Sequence, residues 1–466
     1  MNLPEKTTWL ADCFYLSGRF QAQVGIVGDD TGRIAATPPA LEITNAVKLK
    51  NRAMLPGLVN GHSHAFQRVI RGRTEYRTQN AKDSFWTWRE MMYSAANRLS
   101  PEDVYDASRM AFLEMALSGV TAVGEFHYLH NQPDGTPYDD PNLLAKEVIR
   151  AARDVGLRIA LLRVAYARAG YQTDPNPQQA RFIELDPEIY LDRLTQLRSS
   201  LGKMDGDAWV GVAPHSVRAV PLPYLKEIVA FANTQIMPIH MHVAEQPAEV
   251  SACIEEFGRS PVALLETEGL LSERFTGVHV IHITPKAAGM LARARALVCA
   301  CPTTERNLGD GIVPVDLFFK NGVRVSLGTD SQIQIDLLED ARELEYHLRL
   351  QKGERAILVD QNTEEQSALA ARLFECATVN GAQSIGLPGG TLDKGNPADF
   401  FTVDLNDASI AGASPDNLLS SIVFSLSKTA VKDVIVGGKK IIEDGRHNDQ
   451  EEIVGKFNSL QKRLWG

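Results

Sequence analysis

The chain has 466 residues, 44% of them hydrophobic and 23% charged, the balance of a globular protein with room for one large α/β domain and a smaller one. Its formal charge of −10 excludes broad nucleic-acid binding and attraction to anionic membranes, both of which need a basic field. A small-molecule substrate is expected instead, and an anionic one needs locally placed arginines.

The start of the sequence, Met1-Asn-Leu-Pro-Glu-Lys-Thr-Thr8, lacks the pattern of a signal peptide, and no apolar run is long enough to span a bilayer. Five scattered cysteines (Cys13, Cys253, Cys299, Cys301, Cys376) lack zinc-finger spacing and suit reduced thiols, so the expected location is cytoplasmic. Cys299 and Cys301 read as small residues on a buried strand rather than as metal ligands.

Residues 1–53 carry short β patterns such as Ala22–Val27. From residue 54 to 389, short apolar runs alternate with longer helical repeats. The expected strands are Ala53–Asn60, Ala122–Tyr128, Arg158–Ala165, Trp209–Ala213, Pro238–Ala244, Val278–Ile283, Leu297–Pro302 and Val323–Gly328. Between them, Pro101–Leu117 is a helix capped by Ser100, and Asn142–Ala152, Glu188–Leu201, Pro223–Ala232 and Pro285–Ala296 follow the same period. The stretches 71–88 and 134–140 are expected as long loops over the site. Residues 390–466 return to β patterns, Asp399–Val403 and Val431–Ile442, and are expected to join residues 1–53 in one small β-sandwich domain.

Eight strands alternating with helices predict a (β/α)8 barrel, with an open doubly wound sheet as the competitor. Polar residues cluster after non-adjacent runs, and only ring closure brings the first strand and the last to one place. Among them, His62 and His64 stand two apart beyond an apolar run, so their imidazoles can close on one ion. His242, His282 and Asp330 follow similar runs, and imidazole with carboxylate is a donor set that zinc favours.

These residues sit in segments with a family resemblance. Asn60-Gly-His-Ser-His-Ala-Phe-Gln-Arg68, Ser84-Phe-Trp-Thr-Trp-Arg-Glu90, Glu125-Phe-His-Tyr128, His215-Ser-Val-Arg218, His240-Met-His-Val-Ala-Glu-Gln246, Asn307-Leu-Gly-Asp-Gly-Ile312 and Gly328-Thr-Asp-Ser331 resemble the amidohydrolase superfamily, and within it the formimidoylglutamate deiminases. The resemblance implies one Zn²⁺ held by His62, His64, His242 and Asp330, with His240 the alternative to His242. No lysine lies in the fourth strand to bridge a second metal, which favours a mononuclear site. It implies proton transfer by Glu245, His282 and Asp330, and substrate binding by Gln67, Arg89, Tyr128, His215 and Arg218. The two arginines suit a substrate with two carboxylates, and superfamily relatives imply a homodimer.

The implied reaction is release of ammonia from N-formimidoyl-L-glutamate in histidine breakdown. Two positions depart from the family pattern: Pro285, three residues past the expected catalytic His282, and Gln332, after the Thr-Asp-Ser segment, stand where histidines are usual. Alternatives are a zinc deaminase of a guanine, cytosine or adenosine-type ring, another amidine hydrolase, or a barrel that serves only as a scaffold.

Overall fold

The alternating pattern folds into a ring. The computed structural model describes residues 7–42, 45–77, 85–173, 176–201, 206–360 and 362–466. Its eight parallel barrel strands follow one another in sequence order: β1 (Leu58–Ser63), β2 (Val120–His127), β3 (Arg158–Ala165), β4 (Ala208–Pro214), β5 (Ile239–Val243), β6 (Phe275–His279), β7 (Leu297–Ala300) and β8 (Arg324–Leu327). Their residues are buried almost throughout, as parallel strands covered by helices require.

The seam between β8 and β1 is closed just beyond the strand ends. Ser63 and Asp330 form a parallel bridge. The Asp330 N–H donates to the His62 carbonyl at 3.1 Å, and the His64 N–H donates to the Asp330 carbonyl at 3.0 Å. Gly328 permits this approach, since a Cβ there would lie 2.8 Å from the His62 carbonyl oxygen.

Two strands differ from expectation for local reasons. The run Ala53–Asn60 is divided: Val47–Pro56 belongs to another sheet, and β1 begins only at Leu58. The chain passes between the two sheets at Gly57, where a Cβ would come within 2.2 Å of Thr121 Oγ1. The expected strand Val278–Ile283 is displaced toward the N-terminus and ends at His279, because His279 and Val280 take φ values of 68° and 54°. Left-handed backbone ends a strand, and for a β-branched residue such as Val280 it is strained.

The helices lie close to their expected spans. Pro101–Leu117 begins with a capping box in which Ser100 Oγ accepts from the Asp103 N–H and the Asp103 carboxylate accepts from the Ser100 N–H. Of the two expected loops, 134–140 contains no helix or strand. The other gives way to a helix at Phe85–Ala96, while residues 78–84, Ser84 of the resemblance motif among them, lie outside the described residues.

Both termini contribute to a second, mixed sheet of eight strands. Val47–Pro56 pairs in parallel with Thr8–Leu16 and antiparallel with Phe400–Asp404, which joins the two ends of the chain. The sheet encloses a core of its own, in which Trp9, Phe14, Ile26, Phe400 and Ile435 are buried. The last helix, Gln450–Trp465, leaves this unit and packs on the barrel: Glu452 pairs with Arg109, and Trp465 Nε1 donates to the Val69 carbonyl at 3.2 Å. The C-terminal segment, expected to belong wholly to the β unit, therefore also braces the barrel. Among the described residues no helix is long and apolar enough to cross a membrane.

Candidate active site

At the C-terminal mouth of the barrel, His62, His64, His242 and Asp330 bring one donor atom each to within 4.8 Å of one another, and all four residues are buried. His62 Nε2 and His64 Nε2 are 3.2 Å apart, and Asp330 Oδ1 lies 3.3 Å from the first and 3.2 Å from the second. Ligands at ~2.0–2.1 Å around a tetrahedral ion are separated by roughly 3.3 Å, so these spacings fit a metal. Tautomers fit as well. His64 Nδ1 faces the Phe126 carbonyl at 2.9 Å and His242 Nδ1 faces the His215 carbonyl at 3.2 Å, so each ring donates there and keeps an Nε2 lone pair.

Electrostatics point the same way. Burial drives His62 down to about 3 and His242 well below the usual histidine range, so both rings are neutral, as ligands must be. Burial would raise Asp330, but the adjoining His62 and His64 rings and the charge of His279 outweigh it and hold the carboxylate ionised. His240, the alternative ligand, turns away and bonds the Ser384 carbonyl through Nε2 at 2.8 Å.

The histidine beside this cluster is not the one expected. His279 Nε2 lies 3.7 Å from both Glu245 Oε1 and Asp330 Oδ2, whereas His282 is displaced outward and its Nε2 bonds the Asp310 carbonyl at 2.9 Å. The place beside the cluster expected for His282 is thus taken by His279, because the strand ends four residues short of the expected Ile283. Counting from His279, the residue three further on is His282 itself, so the departure at Pro285 disappears. The departure at Gln332 stands. Its side-chain amide donates to Ser63 Oγ and to the Asp330 carbonyl and accepts from Thr329 Oγ1, tying the seam together.

Buried acids support the loops that carry these groups. Glu125 accepts from Ser63 Oγ at 2.5 Å and from the Ala65 N–H at 2.7 Å, which fixes the turn through His64, and burial raises its carboxyl to about 8. Glu249 accepts from the Ala244 and Glu245 N–H groups, both at 3.1 Å. Burial likewise raises Glu245 to about 8, with the His279 charge opposing the shift.

The other expected binding residues line one side of the same mouth. Gln67 Nε2 donates to the Tyr128 hydroxyl at 2.8 Å, and the Tyr128 ring packs 5.1 Å from that of His64. His215 lies against His242, ring centroids 4.9 Å apart, and is driven well down by burial, then by Arg218, His64 and Arg89. Both arginines therefore act on one imidazole. Arg218 also hydrogen-bonds Tyr166, and Arg89 stacks over Trp86 at 4.5 Å with its buried Nε lacking a partner among the described residues. Gln179 Nε2 joins the Tyr93 and Tyr166 hydroxyls at 2.8 and 2.5 Å, bracing this wall. Sequence patterning missed Tyr93, Tyr166 and Gln179: Tyr93 shares a helix with the Ser84–Glu90 motif but lies just past it, and the other two lie in segments without a motif.

An amidohydrolase family model matches residues 53–441. The chain belongs to the amidohydrolase family. It is 38% identical over 427 residues to a formimidoylglutamate deiminase of Pseudomonas aeruginosa, covering 91% of this chain and 92% of that one. A 5-methylthioadenosine/S-adenosylhomocysteine deaminase of Syntrophomonas wolfei is 27% identical over 442 residues, 92% of this chain and 90% of its own. The crystal structure of an amidohydrolase from Brucella melitensis superposes with a TM-score of 0.91 at 33% identity, covering 99% of this chain and all of that one. This amidohydrolase is a metal-dependent hydrolase of the deiminase type acting on a C–N bond, and the His/Asp group at the barrel mouth is its candidate metal site.

Proposed function

We propose that the protein hydrolyses N-formimidoyl-L-glutamate to N-formyl-L-glutamate and ammonia, a step of histidine breakdown, with one Zn²⁺ held by His62, His64, His242 and Asp330. The reading of the substrate rests on the pair Arg89 and Arg218, both of whose charges bear on His215 beside that cluster. Two guanidinium groups match a dicarboxylate and have little use on a neutral ring. The likeness to the Pseudomonas deiminase supports the same choice.

Zinc, when bound, supplies Lewis acidity that brings the pKa of water to ~7. The residues do the rest. Arg89 and Arg218 hold the substrate carboxylates while Gln67, Tyr128 and His215 orient the chain between them. Overall, water adds to the formimidoyl carbon, the bond to the terminal nitrogen breaks, and the water oxygen remains as the formyl carbonyl. Glu245 carries a proton to the departing nitrogen. His279, between Glu245 and Asp330, steadies the charge that develops as the C–N bond breaks.

A ring-amine deaminase is the second reading, favoured by the 27% identity to a 5-methylthioadenosine/S-adenosylhomocysteine deaminase. Ammonia release from N-formimidoyl-L-glutamate, set against adenosine, 5-methylthioadenosine, guanine and cytosine, separates the two. The proposal expects turnover of the dicarboxylate alone; turnover confined to the rings rejects it.

A further inference from the structure

We propose that Glu305 is a positioning residue that fixes the orientation of His279, an inference that rests on the deiminase reading of this site. Glu305 stands in the first turn of the helix Pro302–Leu308, which follows β7, whereas His279 ends β6. Nothing in the sequence links them, and the barrel brings them together: Glu305 Oε1 lies 3.1 Å from His279 Nδ1. Both residues are only 1% exposed.

A carboxylate so deeply buried persists only when it is hydrogen-bonded. Glu305 Oε1 also accepts from the Cys301 N–H at 2.8 Å, and the Glu305 N–H donates to the Cys301 carbonyl at 2.9 Å, so the side chain is held at its own base. An oxygen that accepts from a backbone N–H on one side accepts from the ring on the other. The shared hydrogen therefore belongs to His279 Nδ1, and Nε2 is the atom presented to Glu245 Oε1 and Asp330 Oδ2, each 3.7 Å away.

The local backbone makes this support necessary. His279 at φ 68° and Val280 at φ 54° have left the strand, so the pleat no longer determines where the imidazole points. Side-chain contacts must, and Glu305 is the charged one on the face away from the reacting groups. Cys301 completes a His279–Cys301–Glu305 group whose donor atoms lie within 4.8 Å of one another. The hydrogen-bonded arrangement and a second metal ion make different predictions.

The test is a double-mutant cycle on the metal-loaded enzyme with N-formimidoyl-L-glutamate, using Glu305→Gln, His279→Asn and their combination. Glu305→Gln keeps the shape and removes the charge. The expected result is a kcat lower by about 10- to 100-fold with KM within about twofold, the range found when a partner behind a functional histidine is lost. One metal per chain and N-formyl-L-glutamate affinity are both retained. In the His279→Asn background, Glu305→Gln then costs no more than about twofold. Equal losses in both backgrounds, a loss confined to KM, or a second metal equivalent that vanishes with Glu305→Gln each overturn the proposal.

A readout independent of substrate is the low-field proton resonance of His279 Nδ1, identified by its absence from His279→Asn and expected to shift in Glu305→Gln. Glu305→Asp, which retains the charge, serves if Glu305→Gln does not fold, and is expected to keep the resonance at a shifted position. A wild-type enzyme inactive on N-formimidoyl-L-glutamate rejects the substrate assignment. An unchanged resonance in Glu305→Gln rejects the role of Glu305.

Discussion

Replacing His242 and His240 in turn by alanine gives a sharp contrast from two histidines only two residues apart. His242 belongs to the group of donor atoms that lie within 4.8 Å of one another, and its Nδ1 is already committed to the His215 carbonyl. His240 is fully buried one pleat repeat nearer the N-terminal end of the strand, with Nε2 on the Ser384 carbonyl. Four-ligand protein sites bind Zn²⁺ with apparent free energies of ~10–16 kcal/mol, so one ligand in four is worth about 3 kcal/mol. At 1.4 kcal/mol per decade, His242→Ala weakens the ion by roughly 100-fold. His240→Ala leaves affinity within about threefold and shows its cost as lower stability, the penalty of a vacated buried position. Competition with a chromophoric chelator, together with elemental analysis of the dialysed proteins, reads both numbers. One full equivalent retained by His242→Ala at wild-type affinity, or equal losses in the two variants, would refute the ligand geometry.

Other consequences are equally open to measurement. Glu245→Gln is expected to lower kcat by about 100- to 10,000-fold while KM changes little, as loss of proton transfer requires; steady-state kinetics with ammonia detection decide it. Arg218→Ala removes a charge-assisted hydrogen bond worth about 1.5–3 kcal/mol, so kcat/KM on the dicarboxylate is expected to fall by roughly 10- to 150-fold with metal content unchanged. Stability is expected to depend on pH through His130, which bonds the Val164 carbonyl at 2.8 Å and is held down to about 4 by burial and then by Arg163. The unfolded chain takes up that proton near pH 6.5 and the folded one only near 4. The contribution, about 3 kcal/mol, is therefore whole above pH 6.5 and is lost as the pH falls toward 4. Urea midpoints across that window should flatten in His130→Gln, and a slope unchanged by the substitution counts against the assignment. Glu184→Gln, which breaks the buried pair with Arg163 at 2.5 Å, is expected to cost about 3–5 kcal/mol in the same assay.

Much of the fold was legible because parallel barrel strands are short, apolar and separated by helices of strong period. Arg158–Ala165 is bounded in the structure as in the sequence, since Gly156 precedes it and the apolar run from Ile159 to Ala165 is broken only by Arg163. The grouping of His62, His64, His242 and Asp330 was legible because each follows such a run, where a barrel places its functional groups. His279 was not. Val280 and Ile281 extend the apolar pattern past it, and only a left-handed backbone at two consecutive non-glycine residues ends the strand earlier. Sequence patterns report side-chain preference and carry no trace of a strained φ imposed by tertiary packing. The same limit hid Glu125, Glu249 and Glu305, each of which meets its partners across strand or helix boundaries through bonds that periodicity does not encode.

The seam at Ser63 and Asp330 has a consequence for biosynthesis. The first two imidazoles are made early, but their carboxylate neighbour is 266 positions later than His64, and the backbone of each is pinned in part by the other's. A nascent polypeptide lacking its eighth strand has nowhere to seat the ion tightly. Capture of the proposed cation is thus deferred until the ring locks, and a chain arrested on the ribosome before that point carries only part of the donor set.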